Sequence, residues 1–252
     1  EVPCVGRRRE LAAIAALFHE CAEEPVARAL VVVGAAGSGK TRLVREALDA
    51  MQGAEPGGPD APQLWEGRAD AMRVGAPYGL MGDLMRRAAG VREADPVAVK
   101  QVKLAQFLGR FLKGAELRSA LFFLGEMVRA PFPNEASEAL AAARADATLM
   151  ADAIRGAMLQ LLRAATERAP VVLVLDDFQH GDHPSRELLH HALRQLEDAP
   201  LFVIALGRPE LEQQFPGLWD DREPQTLRLT KLTKKACEQL VDAVVEGVRA
   251  EG

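Results

Sequence analysis

The residues Gly34-Ala35-Ala36-Gly37-Ser38-Gly39-Lys40-Thr41 match the pattern G-x-x-x-x-G-K-[ST], and no other feature constrains the chain as much. Glycines let backbone N–H groups turn inward around a phosphate chain. A helix that starts directly after such a loop points the positive end of its dipole at the anion. In that geometry the Lys40 ammonium reaches the outer phosphates and the Thr41 hydroxyl ligates Mg2+. By chance the pattern arises in on the order of 1% of chains this long. Its setting is the one that confirms it. Upstream, Ala29-Leu30-Val31-Val32-Val33 is an unbroken apolar run of the kind buried on both faces of a parallel sheet, and residues 39 to 51 read as a helix.

The same alternation continues along the chain. Leu11, Ile14, Leu17 and Phe18 mark one face of an opening helix. Residues 52–62 are rich in Gly and Pro and form a loop. Gln63–Arg68 is a second strand, followed by a helix over 77–89. Leu104, Phe107, Leu108, Phe111 and Leu112 form an apolar helical stripe, and Met150, Ile154, Ala157 and Leu161 form another. Pro131 and Pro133 separate the two. Val171–Leu175 is a third strand, Leu201–Leu206 a fourth and Thr226–Leu229 a short fifth, with a last helix capped by Thr233. Asp182, with Pro184 two residues on, marks the start of the helix between strands three and four. Alternating strands and helices specify an α/β layer fold around a mostly parallel sheet.

Two acids, Asp176 and Asp177, end the third strand. With a phosphate loop upstream they read as a Walker B pair, one acid holding Mg2+ and the other polarising a water. The reading assigns Asp176 to the metal and Asp177 to the base, although adjacent carboxylates can exchange these roles. Arg208 follows the fourth strand. Ligands of such sheets bind at the carboxyl ends of the strands, so a cation there can neutralise a terminal phosphate. His180, His183, His190 and His191 cluster near Asp182, but His190 and His191 are adjacent and face different ways on a helix, so no metal site is assigned.

Composition removes other classes. The formal net charge of −5 argues against nucleic acid as the main partner, and 5% aromatics leave little for base-stacking platforms. No apolar run approaches the roughly 18 to 20 residues that span a bilayer, and no secretory signal opens the chain. Cys4, Cys21 and Cys237 are too few and scattered for a disulfide framework or zinc cluster, which points to a reducing cytoplasm.

Val5-Gly6-Arg7-x-x-Glu10, the phosphate loop, the string Asp-Asp-Phe-Gln-His-Gly-Asp over 176–182 and Gly207-Arg208-Pro209 together resemble the STAND class of AAA-like ATPases. These modules belong to multidomain bacterial regulators such as LuxR-type activators, adenylate-cyclase-linked proteins and serine/threonine kinases. Gly67-Arg68-Ala69-Asp70, Ala130-Pro131-Phe132-Pro133 and Phe215-Pro216-Gly217-Leu218-Trp219 look most similar to the kinase-linked members. The resemblance implies a three-layer P-loop NTPase fold of AAA/ASCE type, with a five-stranded mostly parallel sheet and a helical insertion over about 91–168. It implies ATP and Mg2+ as ligands, with Val5, Gly6 and Arg7 bordering the adenine and Arg208 acting as a sensor. It also implies flanking domains in a longer parent, which fits a chain that opens on Glu1 and would only begin a helical lid over about 231–252. The segment has no His-Arg-Asp or Asp-Phe-Gly, so it is not itself a protein kinase.

The expectation is an ATP-binding, slowly hydrolysing switch, with nucleotide-dependent self-association as a corollary. Competing readings are an ATP-bound scaffold without turnover and a DNA-associated AAA ATPase, for which Arg7-Arg8-Arg9 and Lys231/Lys234/Lys235 are the nearest basic candidates. A small-molecule P-loop kinase is a further option and requires an acceptor pocket beside the terminal phosphate.

Overall fold

A computed structural model describes residues 5–52, 61–73, 77–234 and 236–238. Cys4, most of the 52–62 loop and most of the expected lid segment therefore lie outside the described residues. The strands are β1 (Arg28–Gly34), β2 (Gln63–Arg68), β3 (Val171–Asp176), β4 (Leu201–Gly207) and β5 (Gln225–Leu229). They form one sheet in the order β2-β3-β4-β1-β5. Every neighbouring pair is parallel, so the sheet is wholly rather than mostly parallel.

The unbroken apolar strands are explained by two cores. In β1, Ala29, Val31 and Val33 join one cluster, while Leu30 and Val32 join the other. The same alternation runs through β3 and β4, where Leu173 and Val203 face one core and Val172 and Phe202 the other. Helices α1 (Arg8–Glu23) and α2 (Lys40–Gln52) cover one face with Ile14, Leu17, Phe18, Leu43 and Val44. The opposite face is covered by α3 (Gly79–Ala88), α8 (His183–Gln195) and the helices between β2 and β3. Period-two alternation with both sides buried is the pattern of a central parallel sheet in a three-layer fold.

The insertion after α3 consists of α4 (Val97–Leu108), α5 (Gly114–Met127), α6 (Glu138–Ala145) and α7 (Ala147–Thr166). The apolar stripe at 104–112 does not lie on one helix, because α4 ends at Leu108 and Gly109 begins a turn. Phe111 and Leu112 nevertheless stay on the buried side, since the Leu112 N–H still donates to the Leu108 carbonyl at 2.8 Å. Trp65 of β2 packs edge-on against Phe107 and Phe111, with centroids 5.4 and 5.9 Å away, and so fixes the insertion to the sheet.

Asp182 is the N-cap of α8, with its Oδ1 accepting the Ser185 N–H at 2.9 Å. The same carboxylate accepts the N–H groups of Tyr78 (2.8 Å) and Leu80 (3.1 Å), so it also caps α3 from outside that helix. The Ser185 hydroxyl donates to Asp182 Oδ2 at 2.8 Å and accepts the Met81 N–H at 3.2 Å, completing a buried polar knot. Thr233 accepts the Ala236 N–H at 3.3 Å, as its capping role requires. No described helix is long and apolar enough to cross a membrane.

Candidate functional site

Sheet order and register bring the carboxyl ends of the strands together. Val33 pairs with Gly207, Gly34 with Leu229 and Arg68 with Asp176. The loop from Gly34 to Gly39 leaves β1 at this edge and delivers the chain into α2 at Lys40. Gly37 and Gly39 have φ of +74° and +88° with no atom within 4 Å of a built Cβ, so conformation rather than space demands glycine there. The first turn of α2 begins with the Leu43 N–H donating to the Gly39 carbonyl at 2.8 Å. The N–H groups ahead of it have no acceptor within the helix and face the loop mouth with the dipole behind them. Lys40 Nζ donates to the carbonyls of Gly34 (2.7 Å) and Ala35 (3.1 Å), folded over the loop it serves. Burial lowers the Lys40 pKa, against the opposing pull of Asp176 and Asp177, and the nearby Arg208 lowers it further.

The two acids have different surroundings. The Thr41 hydroxyl donates to Asp176 Oδ2 at 3.3 Å. A hydroxyl and a carboxylate oxygen converge there, the hard-oxygen donor set that suits Mg2+. Asp177 sits in a left-handed conformation (φ +52°) directly after β3. Its Oδ2 accepts both Nε (2.8 Å) and Nη2 (2.7 Å) of Arg68, and its Oδ1 accepts the Gln179 side-chain amide at 3.3 Å. Partial burial pushes the Asp177 pKa up, but Arg68 and the Gln179 hydrogen bond outweigh it and hold the carboxyl below its ordinary value. Gln179 is buried, and its Oε1 accepts the backbone N–H of Arg208 at 3.2 Å. One amide thereby ties the acid after β3 to the residue after β4.

Beside the loop opens a cavity of about 790 Å3, lined by residues 33–39, by Val5 and Arg7, and by Arg42, Arg228 and Cys237 among others. That volume is typical of a small-molecule site. Val5 and Arg7 line this cavity together with the phosphate loop. Gly6 has φ +75°, and a Cβ on it would come within 2.8 Å of Ala236 Cβ. The Arg7 guanidinium is buried, donating to the Thr230 carbonyl and pairing with Glu10 at 3.0 Å, so it clasps the start of α1 to the end of β5. Ser38 Oγ is buried without a hydrogen-bond partner and lies 2.5 Å from where a Cβ on Gly34 would be, which keeps that position to glycine. Taken together, the left-handed glycines, the helix start, the Thr41–Asp176 pair and the cavity fit a nucleotide with Mg2+.

The structure thus gathers Gly34 to Thr41, Asp176, Asp177 and Arg208 at one edge, with Val5 and Arg7 on the adjoining cavity and Gly6 between them packed against Ala236. Arg68 and Gln179 were not singled out from the sequence as site residues. Arg68 had one usable signal, its place at the carboxyl end of β2. The histidines form no metal-holding group among the described residues.

A family model of the AAA ATPase domain matches residues 3–204. No curated protein matches the sequence. Among solved structures, the chain is similar to the Orc1 protein of Aeropyrum pernix determined in complex with DNA, with a TM-score of 0.56 and 13% identity over 98% of this chain and 51% of that one. It is also similar to Cdc6p from Pyrobaculum aerophilum, with a TM-score of 0.54 and 13% identity over 99% of this chain and 52% of that one. The chain spans about half the length of each, and at such identity the likeness is one of fold. These relations support the P-loop NTPase fold and nucleotide binding; they do not extend to the STAND class or a kinase-linked setting, and they give no support to excluding nucleic acid. With four-fifths of its length matched by that model, the chain belongs to the AAA ATPase domain family.

Proposed function

We propose that this chain is an ATP-binding module that hydrolyses ATP slowly and acts as a nucleotide-dependent switch within a larger signalling protein. The observation that carries the reading is the meeting of Thr41 Oγ1 and Asp176 Oδ2 at 3.3 Å beside Lys40, with Asp177 one residue further on. In this reading the loop N–H groups and Lys40 hold the phosphates. Thr41 and Asp176 hold Mg2+, which when bound neutralises phosphate charge. Asp177 accepts a proton from the attacking water, and Arg208 faces the terminal phosphate. The ion pair with Arg68 occupies the Asp177 carboxylate, which favours slow turnover and gives the scaffold reading its strongest support. ATP affinity at least tenfold weaker in Lys40→Ala is the expected result; equal affinity removes the phosphate-site assignment. Phosphate release above that of Asp177→Asn distinguishes hydrolysis from a scaffold.

A second reading, a DNA-associated ATPase, is favoured by the similarity to the Orc1 protein solved in complex with DNA. It predicts retention of duplex DNA at low salt with a steep loss as salt rises. The absence of retention at low salt closes that branch.

A further inference from the structure

A second cavity, of about 730 Å3, is lined by Arg68 and Asp177 and shares no lining residue with the cavity at the phosphate loop. Five guanidinium groups line it: Arg68 at the end of β2, Arg86 and Arg87 in α3, Arg129 after α5 and Arg208 after β4. They come from four separate stretches of the chain, so no single surface helix explains their convergence.

The lining acids equal the arginines in number, and two of them, Asp177 and Asp182, are already engaged by hydrogen bonds. Asp182 is buried, and its two oxygens are taken by three backbone N–H groups and the Ser185 hydroxyl. Asp83 is shared by Arg87 at 2.7 Å, Arg86 at 3.5 Å and the Arg68 backbone N–H at 2.9 Å. Glu93 lies 3.9 Å from Arg129. The Arg68, Arg87 and Arg129 side chains retain 62%, 54% and 58% of their exposure, so their donor-rich heads stay accessible.

Backbone conformation points to the same place. Five described non-glycine residues have positive φ, and three of them, Tyr78 (+57°), Asp177 (+52°) and Arg129 (+59°), line this cavity. Left-handed non-glycine residues concentrate where a site holds side chains in set positions.

We propose that this cavity binds a small polyanion carrying two or more carboxylate or phosphate groups. Arg68 receives one anionic group beside Asp177, and Arg87 and Arg129 receive another about the insertion, through forked charge-assisted hydrogen bonds. Because Arg68 is shared, an anion that draws it toward the cavity weakens its hold on Asp177. That coupling rests on the hydrolytic reading above; the binding site does not.

The test titrates citrate and, separately, inorganic pyrophosphate into the protein by calorimetry, with saturating ADP present so that the phosphate loop is filled. Arg87→Gln and Arg129→Asn are run beside the wild type, the asparagine tolerating a left-handed backbone. Saturable binding that weakens about tenfold in each variant is the expected result. Binding of citrate alone assigns carboxylates, and binding of pyrophosphate alone assigns phosphates. No saturable binding of either probe overturns the site, as does binding unchanged in both variants. The ADP titration that precedes the experiment reports on the nucleotide reading separately. If ADP fails to bind, pyrophosphate and citrate are titrated into Lys40→Ala under the same criteria.

Discussion

The Asp182 knot supports a prediction that can be worked from its geometry. In Asp182→Ala the Leu80 and Ser185 N–H groups, both on buried residues, lose their acceptor, as does the half-buried Tyr78 N–H. A buried donor left without a partner costs about 1–3 kcal/mol, and loss of an N-cap costs about 0.5–2 kcal/mol. These overlap, because the Ser185 N–H is counted in both, so the expected destabilisation is roughly 3–5 kcal/mol. That is a large share of the roughly 5–15 kcal/mol that stabilises a typical domain. For a chain of this size it lowers Tm by roughly 6–20 °C. Asp182→Asn keeps one acceptor oxygen but presents an NH2 toward donors on the other side, so it falls between wild type and alanine. Urea unfolding with an unchanged m-value measures the difference. A loss below about 1 kcal/mol in Asp182→Ala would refute the claim that one carboxylate caps two helices.

Other consequences are as direct. Arg68→Ala frees the Asp177 carboxylate, so phosphate release measured at saturating ATP rises while ATP affinity changes little. Since Asp177 is held below its ordinary pKa, its contribution to stability is present above the unfolded-state value near 3.8 and disappears as pH falls through the lower folded-state value. Asp177→Asn therefore flattens the acid limb of a stability–pH profile below about pH 4. Burial pushes the Cys21 thiol up to about 12, so a thiol reagent at pH 8 modifies the exposed Cys237 and reaches Cys21 only under denaturant. Phe111→Ala, which removes one ring from the Trp65 cluster, costs about 3–5 kcal/mol by denaturation.

Much of this was readable from residue order. β1, β3 and β4 were legible because strands buried on both faces must be apolar at every position, and the phosphate loop because its glycines and lysine have few other uses together. The exact pairing was not legible. Arg68 sits opposite Asp176 only because β2 lies next to β3, and that neighbour relation depends on a crossover through five helices. Gln179 reads as an ordinary polar loop residue until the fold buries it between Asp177 and Arg208. Asp182 announced its own helix through local spacing, whereas its second duty on α3 spans distant sequence. Phe111 and Leu112 kept the helical period while leaving the helix, which periodicity cannot separate.

The strand order also dictates a sequence of events in time. β1 finds its partners in β4 and β5, and β2 finds its partner in β3, so both strands made first must wait for strands made much later. Only β3 and β4 are neighbours in the sheet and joined by a single helix, α8. Short loops close at least entropic cost, so the β3–α8–β4 unit is the sheet pairing with the least costly connection. The chain made before β4 has no scaffold on which to shape the Gly34–Thr41 loop. A nascent chain thus gains its grip on phosphate only after Gly207 has been synthesised.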